Sequence, residues 1–187
     1  MTPFTTLAGA VALLDRANID TDQIIPARFL RKPRSAGYDN FLFHDLLTRE
    51  NAFPVRPHTA PILVAGDNFG CGSSREGAVY ALADAGIRCV IAPSFGDIFA
   101  SNAAKNGLLT IVLADAPARL GVASLTVDLP AQTIALPDGT LIAFEIDPFR
   151  KHCLVEGLDD IGLTLLHGAA LAAHEAHLPH WSLPAKG

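Results

Sequence analysis

The stretch PILVAGDNFGCGSSREGAVYALADAG, Pro61 to Gly86, decides the fold. It opens on a short apolar run, Ile62-Leu63-Val64-Ala65, of the kind a strand buried on both faces carries. A loop containing Gly66, Gly70 and Gly72 follows. The next segment, Ser74 to Ala85, reads as a helix because Ala78, Val79, Ala81 and Leu82 give it an apolar face. Strand, glycine-rich loop and helix in that order make half of a βαβ unit.

The same alternation continues on either side. Gly9 to Leu14 reads as a buried strand, and Asn18 to Pro26 as the loop after it. Arg28 to Gly37 is basic, contains Pro33 and Gly37, and reads as an exposed irregular loop. Phe41 to Thr48 has apolar residues at helical spacing, and Pro54, Pro57 and Pro61 punctuate the connection that follows. Beyond the central stretch, Cys89 to Ala92 is a strand, Asp97 to Lys105 a helix and Leu108 to Leu113 a third buried strand. Strands alternating with helices predict a parallel sheet with crossover helices.

Past that point the pattern changes. Leu125 to Leu129, Thr133 to Leu136 and Leu141 to Ile146 are β-rich, and Pro137-Asp138-Gly139 joins the last two like a hairpin turn. Phe149 to Glu156 and Leu165 to His177 have helical patterns. No repeat or low-complexity linker divides the chain. The expectation is a single α/β domain over residues 1–187, with a parallel core sheet, crossover helices and a β-rich C-terminal part.

Composition narrows the function classes. Half of the residues are hydrophobic and the formal net charge is −5, which fits a folded globular chain. A mildly acidic chain without a Lys/Arg block is a poor binder of nucleic acid or of a membrane surface. No uncharged apolar run reaches the roughly 18 residues of a membrane helix. The apolar N-terminal stretch lacks the basic flank of a signal peptide and reads as a first strand. A cytoplasmic protein with neither nucleic acid nor membrane as partner is expected.

The three cysteines, Cys71, Cys89 and Cys153, are odd in number and widely spaced. They suit neither a disulfide framework nor a zinc or iron–sulfur site. Cys89 lies in an apolar run and reads as core. His152 and Cys153 are adjacent on a helix and so do not face each other; Cys153 reads as packing. His174, His177 and His180 resemble a metal cluster at first, but Pro179 interrupts before the last, and a solvated helix end is expected. No metal site is expected in this chain.

Two readings of the central loop stay open together. A loop between a strand and a helix is where ligands bind in open α/β sheets. Glycines let backbone N–H groups approach closely, the unpaired N–H groups and dipole of the helix start favour an anion, and Arg75 adds a planar cationic fork. Against this, Ser73-Ser74-Arg75-Glu76 fits a capping box, with Ser73 at the N-cap and Glu76 three residues on. The loop lacks the Walker A lysine, the nucleophile-elbow pattern and the glycine order of a dinucleotide fingerprint. The paired carboxylates of Asp20-Thr21-Asp22 lack the glycine and glutamate of an EF-hand, and either cap neighbouring backbone or line the cleft.

Asn68-Phe69-Gly70-Cys71-Gly72-Ser73-Ser74-Arg75-Glu76 resembles the signature of the aconitase superfamily swivel domain, in the form found in the small-subunit family of 3-isopropylmalate dehydratases. Asn18 to Pro26, Ile91 to Phe99, Phe149 to Cys153 and Gly157 to Leu165 are similar to further motifs of that family in the same order, so nearly the whole chain is covered. The resemblance implies an aconitase swivel-type α/β domain and a hydro-lyase subunit in leucine biosynthesis. In that family 2-isopropylmalate loses water to give isopropylmaleate, which regains it as 3-isopropylmalate. It also implies a [4Fe–4S] cluster held by a separate large subunit, whose open iron binds substrate hydroxyl and carboxylate. Carried over residue by residue, Ser73 is the catalytic base, acting as an alkoxide. Ser74 and Arg75 bind substrate carboxylate, and Asp20, Thr21, Asp22, Gly70 and Gly72 line the substrate site. The loop Arg28 to Phe43 is expected to read the variable side chain of a small dicarboxylic hydroxyacid. Within it Arg31, Lys32 and Arg34 read as a solvated face and Phe41, Leu42 and Phe43 as a candidate apolar pocket.

The chain departs from the family at Gly77, where histidine usually follows Ser-Ser-Arg-Glu, and at Ala100 to Gly107, which lacks the usual aromatics. These departures keep other readings alive: the small subunit of a homoaconitase-like or alkylmalate hydratase, a non-catalytic anion-binding paralogue, or an RNA-binding relative that the acidic charge disfavours.

Overall fold

In the computed structural model, which describes residues 1–177, the chain opens with β1 (Thr6–Leu14) and two short helices, α1 (Thr21–Ile24) and α2 (His44–Arg49). Strands and helices then alternate: β2 (Ile62–Ala65), α3 (Glu76–Asp84), β3 (Cys89–Ala92), α4 (Asp97–Lys105) and β4 (Leu109–Val112). A single turn of helix, α5 (Ala116–Arg119), leads to β5 (Ser124–Asp128), β6 (Thr133–Ala135) and β7 (Leu141–Ala143). Three helices follow: α6 (Pro148–Glu156), α7 (Asp160–Leu165) and α8 (Gly168–Glu175).

The seven strands of the described residues join one sheet in the order β4-β3-β2-β1-β5-β6-β7. β1 is shared between its two halves. Val11 to Leu14 pairs in parallel with Ile62 to Ala65, while Thr6 to Ala10 pairs antiparallel with Ser124 to Asp128. β2 and β3 are buried along their whole length, so they read as continuous apolar runs without alternation. Their side chains still divide by period two. Leu63, Ala65, Val90 and Ala92 enter one core with Ala78, Val79, Ala81 and Leu82 of α3 and with Phe99 and Ala103 of α4. Ile62, Val64, Cys89 and Ile91 enter a second core on the opposite face.

The parallel strands step outward in one direction, and α3 and α4 pack into the same core on one face. The other face is covered by α5 and by the antiparallel half, since Leu125, Val127, Ile134 and Ile142 pack into the same cluster as Ile62 and Val64. The sheet therefore curls over its own second face. The fold expectation holds: an α/β domain with a parallel core, crossover helices and a β-rich C-terminal part.

Three segments differ from the sequence reading. Phe41 to Thr48 is not one helix: Phe43 takes a positive φ of 48°, which ends a 3-10 turn (Tyr38–Phe41) and starts α2. Leu165 to His177 is not one helix either. Asp159 caps α7 by accepting from the Gly162 N–H at 2.7 Å, which starts helix well before Leu165, and the chain breaks at His167 before α8. Third, the loop reading of Asn18 to Pro26 misses α1. Among the described residues, no helix is long and apolar enough to cross a membrane.

Candidate active site

The loops after β1, β2 and β3 all leave the same edge of the parallel sheet, the carboxyl edge where α/β proteins place ligands. Main-chain bonds stitch the three together. The Gly70 N–H donates to the Ile19 carbonyl at 2.7 Å, and the Thr21 N–H to the Cys71 carbonyl at 3.0 Å. On the other side the Phe69 N–H donates to the Ser94 carbonyl at 3.1 Å and the Gly96 N–H to the Phe69 carbonyl at 2.9 Å. Short parallel bridges, Asp20 with Cys71 and Phe69 with Phe95, extend the sheet into this loop layer. Side chains add to it: the Asn68 N–H donates to Ser94 Oγ at 2.9 Å, and Ser94 Oγ donates to Asp67 Oδ1 at 2.6 Å.

Glycine is needed at two points of this layer. Gly70 has φ +73°, and a Cβ there would lie 2.3 Å from Cγ of Phe99. A Cβ on Gly96 would lie 2.6 Å from the Gly70 carbonyl oxygen. Gly70 thus lies flat on an aromatic floor of Phe69, Phe95 and Phe99, whose ring centroids are 5.4 to 6.4 Å apart. Gly96 was not among the expected site residues. Its signal in the sequence was a glycine directly before a helix start.

The capping box at Ser73 does not form. The N-cap of α3 is Arg75, which makes no side-chain cap bond, and Glu76 is the first helical residue, not the third. The reason lies outside the tetrapeptide. The Asp20–Cys71 bridge and Gly72 at φ +89° carry the chain past α1 in an extended path, and Arg75 is still extended at φ −137°, ψ 101°. Glu76 instead accepts from Asn106 Nδ2 at 2.8 Å. The capping box of this region belongs to α1. There Asp20 Oδ1 accepts from the Gln23 N–H at 2.7 Å and Gln23 Oε1 from the Asp20 N–H at 2.9 Å.

Freed from capping, Ser73 and Ser74 are exposed, and among the described residues no hydrogen bond engages the Ser73 hydroxyl. Its backbone is held, because Thr21 Oγ1 donates to the Ser73 carbonyl at 2.9 Å. Thr21 is only 2% exposed, so this bond also satisfies a buried hydroxyl. Arg75 is mostly buried. Its Nη1 forms an ion pair with Asp22 Oδ1 that lacks hydrogen-bond geometry, which leaves this buried N–H group without a hydrogen-bond acceptor. Asp22 Oδ1 also accepts from the Ala27 N–H at 3.2 Å. The structure therefore brings Asp20, Thr21, Asp22, Gly70, Gly72, Ser73, Ser74 and Arg75 together at the start of α3. The capping reading of Asp20-Thr21-Asp22 describes α1, where Asp20 is the N-cap.

The Arg28 to Phe43 loop divides differently from expectation. Phe41, Leu42 and Phe43 are buried in the first core and offer no open pocket, since the 3-10 turn and the left-handed Phe43 direct them inward. Arg34 is no freely solvated charge: it pairs with Asp84 and lies over Tyr80, 4.2 Å from the ring centroid. Lys32 sits 4.9 Å above the Phe41 ring. Arg31 remains exposed. Arg28 pairs with Asp45 and holds that carboxyl well below the usual carboxylate range.

Gly72, Ser73 and Ser74 form an open surface. A cleft of about 380 Å³ between α4 and the β7–α6 link has Ser94 and Phe95 at its rim, but none of residues 70–75 lines it. The loop joins a hydroxyl that no described residue engages, a guanidinium and a helix start without a side-chain cap. Burial pushes the Cys89 thiol far up and also raises that of Cys153. Thiol alkylation of the native chain should therefore modify Cys71 first and leave Cys89 unreacted until the chain unfolds, a result that mass spectrometry of timed samples checks. Among the described residues, no group of three or more His, Cys, Asp or Glu is placed to hold a metal ion. His174 and His177 are exposed, and His180 lies outside the described residues.

Comparisons with known proteins agree with this fold. The aconitase C-terminal domain family matches residues 1–116, and the LeuD_N family matches residues 113–148. A 3-isopropylmalate dehydratase small subunit of Xanthobacter autotrophicus is 49% identical over 191 residues, covering 94% of this chain and 95% of the relative. One from Novosphingobium aromaticivorans is 49% identical over 196 residues, covering 100% and 96%. A crystal structure of 3-isopropylmalate dehydratase (leuD) from Methanocaldococcus jannaschii superposes with a TM-score of 0.73 at 28% identity, covering 90% of this chain and 99% of that one.

Proposed function

The chain belongs to the family of 3-isopropylmalate dehydratase small subunits, and from that premise we propose that it is one half of a heteromeric hydro-lyase. On this reading the complex interconverts 2-isopropylmalate and 3-isopropylmalate through isopropylmaleate, in leucine biosynthesis. One observation supports it above the others: Thr21 holds the Ser73 carbonyl and Asp22 pairs with Arg75, with exposed Ser74 between them, directly before a helix start without a side-chain cap.

Each residue has a task in that reaction. Arg75 binds a substrate carboxylate through charge-assisted hydrogen bonds, exchanging its pairing with Asp22 for the substrate. Ser74 and the loop N–H groups beside Gly70 and Gly72 orient the dicarboxylate. Ser73 Oγ, as an alkoxide favoured by the nearby helix start, takes a proton from the carbon next to a carboxylate. The electrons of that C–H bond become the second bond of isopropylmaleate as the hydroxyl leaves the neighbouring carbon. Rehydration reverses the sense: hydroxyl adds to the carbon that lost the proton, and the proton returns to the other carbon.

The fold family implies a [4Fe–4S] cluster, and the cysteines of this chain do not fit one. Cys89 is buried in β3, Cys153 in α6, and Cys71 stands in the loop layer. We place the cluster on the large subunit. The open surface around Ser73 supports the same arrangement, because proton abstraction by an alkoxide needs a site closed to bulk water and the described residues do not enclose Ser73.

Neither chain should act alone. Mixing this chain with its cluster-loaded large subunit should produce ultraviolet absorbance of the conjugated enoate from 2-isopropylmalate, and either chain by itself should produce none. A complex that forms, yet is inactive on this substrate and active on another 2-hydroxy dicarboxylate, would move the reading to a homoaconitase-like or alkylmalate hydratase.

A further inference from the structure

We propose that Gly77 is a positioning residue for Arg75, acting through Leu30. A closed circuit of contacts carries the inference. Arg75 stands two positions before Gly77 at the start of α3. A Cβ on Gly77 would lie 2.4 Å from Cδ2 of Leu30 and 3.5 Å from Cε2 of Tyr38, so the leucine occupies the space that any other residue here would fill. Leu30 ends the 3-10 turn Ala27–Phe29, its N–H donating to the Ala27 carbonyl at 3.1 Å. The Ala27 N–H in turn donates to Asp22 Oδ1, and that same oxygen pairs with Arg75. The circuit closes on the guanidinium.

Gly77 is not there for backbone freedom, since it lies inside α3, where alanine is the better helix former. Its use is the room it leaves. Leu30 is half-buried and packs against the first core, and the next residues are held from behind, the Tyr38 hydroxyl donating to the Lys32 carbonyl at 3.0 Å. A methyl group at position 77 therefore displaces the Leu30 side chain, and on this proposal the turn that Leu30 ends follows it. The turn carries Ala27, whose N–H fixes the carboxylate that holds Arg75.

This inference rests on the proposed role of Arg75 in binding the substrate carboxylate, and two readouts separate the two ideas. In the reconstituted complex, Gly77→Ala should raise KM for 2-isopropylmalate about tenfold and leave kcat within about twofold, as partial loss of a charged hydrogen bond does. Combining it with Leu30→Ala removes the collision and should restore KM to that of Leu30→Ala alone. In the isolated chain, the Arg75 Nε–Hε resonance, assigned by its loss in Arg75→Lys, should shift in Gly77→Ala and return in the double variant. An unchanged KM and an unmoved resonance in Gly77→Ala would overturn the inference, as would a raised KM that Leu30→Ala fails to relieve. An inactive wild-type complex overturns the functional reading instead, and the resonance still decides the coupling.

Discussion

Ser73→Ala is expected to cut kcat of the reconstituted complex by about 1,000-fold, the middle of the range for losing a general base. Binding of a non-reacting dicarboxylate analogue, measured by calorimetry, should stay within about twofold, because the proposed carboxylate contact is made by Arg75 and Ser74. The structure makes this variant a clean one. The position of residue 73 is set by its carbonyl, which Thr21 Oγ1 holds, and alanine keeps that carbonyl. The hydroxyl is exposed and engages no described residue. Thermal stability should therefore change by no more than about 0.5 kcal/mol, as at exposed sites away from special features. A working N-cap would behave otherwise and lose about 1 kcal/mol on the same substitution. Full turnover in Ser73→Ala would remove serine from the role of base, and the helix start would then need another group near it to accept the proton.

The outcome at Ser73 also shows where local pattern stops being informative. Ser-x-x-Glu is a sound cap signal for a chain free to turn at the serine. Here the bridge from Asp20 to Cys71 and the bond from Thr21 to the Ser73 carbonyl keep the backbone extended, so helix begins at Glu76. Both constraints come from a loop far away in sequence. The same loop hid α1, because one turn of helix has no apolar period to read and its capping box uses Asp20 and Gln23. β3 and α4 were legible to the residue: each is decided by its own run, an unbroken apolar tetrad and a helix with buried Phe99 and Ala103. The shared role of β1 was not legible, since strand order depends on which distant partners pair with each half. Phe41, Leu42 and Phe43 failed for a related reason. Apolar composition alone does not separate a ligand pocket from a core, and only the left-handed turn at Phe43 shows them pointing inward. The grouping of the candidate residues around Ser73 was legible through family resemblance, while the contact between Leu30 and Gly77 leaves no mark on either segment.

Phe69→Ala is expected to cost about 3–5 kcal/mol of folding stability, the usual loss for a buried phenylalanine. That is a large share of the roughly 5–15 kcal/mol that holds a domain together. Phe69 is fully buried, and its ring meets those of Phe95 and Phe99 edge-on at 6.4 and 5.4 Å. Its backbone is the middle rung of the loop layer, taking a bond from Gly96 and giving one to Ser94. Truncation leaves a void beside Phe99, the ring on which Gly70 lies, so the floor under the candidate loop loses its fixed height. The thermal midpoint should fall by about 10 °C, taking roughly 2–4 °C per kcal/mol for a chain of this length. Activity should fall as well, even well below that midpoint, because Phe99 can relax into the void and Gly70 moves with it. Phe69→Leu, which fills most of the space, should recover most of both. The contrast with Ser73 is the test of the whole arrangement. If Phe69→Ala lowers the midpoint but leaves kcat/KM untouched at low temperature, the aromatic floor supports the fold alone. If both fall together and both return with leucine, the floor is what sets the height of Ser73 and Arg75.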